Sequence, residues 1–78
     1  MKLKKGVYKG KFAEVRVDSN ITIYMHIGIV IYANSVIVDV DKKIITAYKD
    51  SRYATASMDL KYIPKKFINT LPYEAFRL

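Results

Sequence analysis

The chain has 78 residues, room for one domain with one small core, and it contains no cysteine. That excludes disulfides, thiolate chemistry and cysteine-based metal sites, so a composition that is 51% hydrophobic with seven tyrosines must supply the stability itself. Fourteen Lys and Arg against seven Asp and Glu give a net charge of +7, which favours anionic partners.

The charge is uneven. Lys2, Lys4, Lys5, Lys9 and Lys11 supply five positive charges within the first eleven residues, with no acid among them; the other 67 residues hold nine bases and seven acids. The expectation is a single domain, residues 1–78, made of a basic N-terminal arm (1–11) and a near-neutral body. Such an arm attracts phosphates or an acidic protein face through a field that salt screens; lysines that only keep a small apolar protein soluble give the same pattern.

Beyond the arm the dominant period is two. In KFAEVRVD, Ala13, Val15 and Val17 point one way and Glu14, Arg16 and Asp18 the other, as in a half-buried strand. Asp18-Ser19-Asn20 is a turn cluster. ITIYMHIGIVIYA follows (21–33), apolar at all seven odd positions, mixed at the even ones, and β-branched at seven of thirteen. This reads as one central strand whose odd face builds the core. Thirteen extended residues would reach ~43 Å, too long for a straight strand here, so a bend is expected at Gly28.

Asn34-Ser35 makes the next turn. VIVDVD then places Val36, Val38 and Val40 inward and Asp39 and Asp41 outward, and Asp41-Lys42-Lys43 connects to IITAYKD. Asp50-Ser51 turns into RYATASM, completing about five strands in hairpin order with antiparallel neighbours. Asp59-Leu60-Lys61 reads as a single helical turn or a loop. A helical tail (64–78) follows: Pro64 opens KKFINTL, Phe67, Ile68 and Leu71 recur at helical spacing, and Pro72 stops it.

The expected fold is mainly β. The element order over residues 6–64 is similar to that of small SH3-like barrels of the KOW or Tudor type, with a short C-terminal helix added; an α+β sheet with one packed helix is the alternative. Barrels of this kind bind nucleic acid, peptides or larger partners, so the resemblance alone does not choose a function.

Few groups suggest catalysis. His26 is the only histidine and would need carboxylates for every other ligand of a zinc site. Asp39 and Asp41 share a strand face but have no third acid or histidine at a supporting spacing. No nucleophile–base–orienter set is visible, so the reading is a non-enzymatic protein without metal or cofactor. The purely apolar run of 13 residues is shorter than the ~20 of a spanning helix, and no apolar segment directly follows the lysine-rich start as in a signal peptide. A soluble, cytoplasmic protein without membrane association is expected.

The basic and aromatic residues carry the functional reading. Small antiparallel barrels bind nucleic acid by combining lysines along the backbone with aromatic rings against the bases. The candidates are Lys2, Lys4, Lys5, Lys9 and Lys11 in the arm and Tyr48, Lys49, Arg52 and Tyr53 around one turn, with Tyr24, His26 and Tyr32 secondary. Lys, Ile, Asn and Tyr, all with AT-rich codons, make up 31 of the 78 residues. With the short length, this suits a bacteriophage or viral gene acting in the host cytoplasm. The alternative reading is therefore a phage-type accessory protein that binds and modulates or inhibits a host protein, using an apolar or tyrosine-rich face or meeting an acidic surface on that protein. Either way, a sheet so rich in Ile and Val is expected to leave a face or an edge that a homodimer would cover.

Overall fold

The period-two segments form strands, but more of them than the pattern suggests. A computed structural model describes residues 2–77 and shows a mainly β molecule of eight strands in two four-stranded sheets, with little helix. The first sheet is an antiparallel meander of β1 (Gly6–Lys9), β2 (Ala13–Val17), β3 (Ile21–Met25) and β4 (Ile29–Ala33). The second contains β5 (Ser35–Asp39), β6 (Ile44–Asp50), β7 (Tyr53–Asp59) and β8 (Phe76–Arg77) in the order β7-β6-β5-β8. The edges β4 and β7 are each hydrogen-bonded to a single neighbouring strand.

Residues 21–33 depart most from expectation. They form a hairpin, β3 and β4, with His26-Ile27-Gly28 as its loop, rather than one bent strand. The Gly28 N–H donates to the Met25 carbonyl at 2.9 Å, and Gly28 takes φ +100°, a conformation that glycine adopts without a Cβ penalty. Folding about Ile27 pairs Ile21 with Ala33, Ile23 with Ile31 and Met25 with Ile29, so odd residues stay opposite odd residues. Ile21, Ile23, Ile31 and Ala33 are buried, whereas Ile27 and Ile29 near the tip are 80% and 50% exposed.

Three smaller corrections follow. The N-terminal arm is partly strand: β1 pairs along β2 in the register Gly6–Val17 to Lys9–Glu14. Its Tyr8 packs on Phe67, with ring centroids 5.7 Å apart, and its hydroxyl donates to the Lys4 carbonyl at 2.8 Å. Val40 is 41% exposed because β5 ends at Asp39 and the chain enters a turn. The tail contains a one-turn helix, α1 (Lys65–Ile68), a 3-10 turn at Tyr73–Ala75, and then β8, which lies parallel to β5 with Val38 beside Phe76.

Both sheets and α1 contribute to one core. Val15, Ile21 and Ile23 from the first sheet meet Val36, Val38 and Ile45 from the second, and Phe67, fully buried, is its largest side chain. Asn34 ties the corner between the sheets: its N–H donates to the Tyr48 carbonyl at 2.8 Å and its side-chain amide to the Lys49 carbonyl. At the other end the β1–β2 loop rests on Pro64. A Cβ on Gly10 would lie 2.9 Å from the Pro64 ring, so only glycine permits this approach. No helix among the described residues is long and apolar enough to cross a membrane.

Candidate functional site

Lysines from four separate segments surround two adjoining grooves at one end of the molecule. The first groove, about 660 Å³, has an apolar floor of Val40, Leu60, Ile63 and Ile68 and a rim of Lys42, Lys43, Lys61 and Lys65. The second, about 230 Å³, shares Lys61, Ile63 and Lys65 with it and adds Lys9, Lys11, Lys66, Phe12 and Tyr62. Asp59 is the one acid lining either groove. Among the described residues none of these seven lysines forms an ion pair; the pairs present are Lys5–Asp18 at 4.0 Å and Arg16–Glu14 at 2.6 Å. Free ammonium groups around an apolar floor suit an anion that carries a flat or apolar part.

Local structure sets each contribution. In the turn after β5, the Lys42 N–H donates to an Asp39 carboxylate oxygen at 3.0 Å, and Lys43 takes φ +55°. This tight turn holds the two lysines together at the rim. Lys61 rides on the 3-10 turn Leu60–Tyr62, which is closed by the Ile63 N–H donating to the Leu60 carbonyl at 3.1 Å. Lys65 and Lys66 are exposed on the first turn of α1, whose Phe67 is anchored in the core. Lys9 and Lys11 flank Gly10 and are brought across by its contact with Pro64.

Phe12 and Tyr62 close the second groove as an edge-to-face pair. Lys11 lies over the Phe12 ring at 5.5 Å from its centroid, and Lys61 over Tyr62 at 5.2 Å. Cation–π contacts at such exposed positions are weak and exchangeable, so the ammonium groups can turn to a ligand.

His26 has a structural role beside this site. Its N–H donates to the Phe12 carbonyl, and its ring Nδ1 lies 2.9 Å from the Lys11 carbonyl. A carbonyl only accepts, so Nδ1 carries the proton, and His26 latches the β3–β4 tip onto the β1–β2 loop.

The other candidates lie elsewhere. Tyr48, Lys49, Arg52 and Tyr53 sit at the turn end of the β6–β7 hairpin, around the Asp50–Tyr53 pair, while the grooves lie at the opposite, Ile44–Asp59 end of those strands. Five or six strand residues, on the order of 17–20 Å, separate the two ends. Tyr53 is 63% exposed with Arg52 over its ring at 5.7 Å, and Tyr48 is half-buried. Lys49 joins Tyr32 in a small hollow with Asn20 and Asn34. Tyr24 lies on the outer face of the first sheet under Arg16, whose guanidinium the Glu14 hydrogen bond holds above its ordinary value. Lys2, Lys4 and Lys5 precede β1 and line neither groove.

Sequence reasoning missed Lys42, Lys43, Lys61, Lys65, Lys66, Phe12 and Tyr62. The signal was available in the two lysine doublets, Lys42-Lys43 in the connection between β5 and β6 and Lys65-Lys66 directly after Pro64 on the exposed side of α1. Among the described residues no cluster of three His, Asp or Glu side chains could hold a metal ion. No family model, curated protein or solved structure matches the chain.

Proposed function

We propose that the protein is a small non-enzymatic nucleic-acid-binding module whose contact face is the doubly grooved lysine end. The observation that carries this reading is the convergence of Lys9, Lys11, Lys42, Lys43, Lys61, Lys65 and Lys66, unpaired among the described residues, around apolar and aromatic floors with Asp59 as the one acid. In this role the lysines neutralise phosphates and release counterions, while Phe12 and Tyr62 offer ring edges to unpaired bases. The two sheets then act as an open variant of an SH3-like barrel, with the β4–β7 seam unpaired. The Tyr48–Tyr53 turn is a subsidiary contact for a longer strand.

The alternative, a phage-type accessory protein that meets an acidic host-protein surface, draws on the same lysine face. Fluorescence anisotropy with about 20-nucleotide single-stranded DNA, RNA and duplex at two or more salt concentrations tests the first reading, which requires affinity to fall steeply with salt. Absence of binding to all three at low salt, with nuclease-resistant capture of a host protein, transfers the face to the alternative.

A further inference from the structure

Next to the lysine grooves, sharing Asp59 and Tyr62 with them, lies a surface of the opposite chemistry. The exposed edge strand β4, Ile29-Val30-Ile31-Tyr32-Ala33, has no charged residue, and the loop leading into it contributes Ile27. Ile27, Ile29, Val30 and Tyr32 are 80%, 50%, 44% and 64% exposed. Beside them, between β4 and β7, runs a third groove, of about 660 Å³, that continues onto Ala56, Met58 and Tyr62. An apolar, uncharged edge without lysine, proline or bulge lacks the devices that keep sheet edges from pairing.

We infer that β4 is the interface of a homodimer, in which a second copy lays its own β4 antiparallel alongside, related by a two-fold axis at Ile31. Centring on Ile31 places Ile29 opposite Ala33 and Val30 opposite Tyr32 of the second copy. Odd residues meet odd residues, so the core-facing side of the sheet stays on one side of the joined sheet, and a one-residue slip breaks this match. Val30 and Tyr32 then form β-branched–aromatic pairs on the outer face.

Charge selects this occupant. Two chains of net charge +7 repel at most surfaces, and β4 offers contact without a lysine on the strand. The groove is lined by two charged residues, Lys49 and Asp59, at opposite ends. Lys49 lies by Tyr32 and Ala33 at the end of β4. Asp59 lies at the hairpin-tip end, joined to it through Tyr62, Phe12 and the His26–Phe12 hydrogen bond. An antiparallel two-fold brings each end against the other, so Lys49 of one copy faces Asp59 of the second at both ends of the interface. A parallel alignment would oppose like charges instead.

Sedimentation velocity from about 1 to about 200 μM, where mass action moves a reversible dimer, tests the inference. The full chain is expected to shift with concentration from 9.0 kDa towards twice that mass. Val30→Lys, at an exposed position, is expected to weaken the dimer at least ~10-fold while the far-ultraviolet circular dichroism stays unchanged. Lys49→Asp and Asp59→Lys each weaken it, and the Lys49→Asp/Asp59→Lys double variant restores it, a reversal that damage to the fold would not produce. The Val30 and Tyr32 amides gain hydrogen-exchange protection with concentration. A 9.0 kDa monomer throughout overturns the inference, whether β4 is free or holds a foreign peptide; so does a dimer indifferent to Val30→Lys, or one that the charge exchange fails to restore.

Discussion

Phe12, in the loop between β1 and β2, meets Tyr62, at the end of the 3-10 turn after β7, edge to face, with ring centroids 5.4 Å apart and planes at 80°. This contact joins the first sheet to the segment that follows the second, and it sets the position of Lys9 and Lys11 relative to Lys61, Lys65 and Lys66. Through it, lysines far apart in sequence become one face.

Removing either ring should therefore loosen the face more than the fold. Phe12 is 45% exposed, so Phe12→Ala is expected to lower unfolding free energy by only about 1 kcal/mol, and a double-mutant cycle with Tyr62→Ala should return a coupling of about 0.5–1.5 kcal/mol in urea denaturation. A coupling near zero would mean that the rings are neighbours without mutual stabilisation.

Nucleic-acid affinity should depend on the assembled lysines more than on those that precede β1. Replacing Lys65 and Lys66 by Gln is expected to reduce the slope of log K against log salt by roughly 0.7–0.9 per lysine, whereas replacing Lys2 and Lys4 leaves it nearly unchanged. Equal effects from both pairs would return the binding role to the N-terminal segment as a whole.

Phe67 is the keystone of the core. It is fully buried between the sheets against Tyr8, and Phe67→Ala is expected to cost about 3–5 kcal/mol, enough to leave so small a domain largely unfolded near 37 °C. Thermal melting followed by circular dichroism checks this, and Phe67→Leu, which keeps most of the volume, should melt between the two.

The two loop glycines should fail for different reasons. At Gly28 a Cβ has open space but φ is +100°, so Gly28→Ala strains the backbone and should cost about 1–2 kcal/mol. At Gly10 the conformation is ordinary and the main obstacle is the Pro64 ring, so Gly10→Ala should be relieved by Pro64→Gly, which removes the ring carbons at 2.9 and 3.2 Å, while Gly28→Ala should be indifferent to it. Stability of the two double variants separates these causes.

Local pattern settled much of the architecture. The alternation of residues 13–17 and 36–39 and a hairpin turn next to Asp50 follow from side-chain period and turn residues, which act between near neighbours. Ser35, expected in a turn, opens β5, the turn residues are Ser51-Arg52 rather than Asp50-Ser51, and Asp59-Leu60-Lys61, open between a helical turn and a loop, becomes the 3-10 turn Leu60–Tyr62. The lysine-rich composition likewise set a net positive charge. What it left open was decided by contacts distant in sequence. Residues 21–33 satisfy a period of two equally as one strand or as a hairpin folded on Ile27, because a fold about an odd residue returns odd positions to the same face; the latch of His26 on the β1–β2 loop and the shortness of the core favour the hairpin. Phe76 and Arg77 carry no strand signal and become β8 because β5 offers an open edge. The grooved face is the clearest case: Lys9 and Lys11 meet Lys61, Lys65 and Lys66 only because Gly10 admits Pro64 and Phe12 docks on Tyr62, and no one-dimensional period encodes a contact across fifty residues.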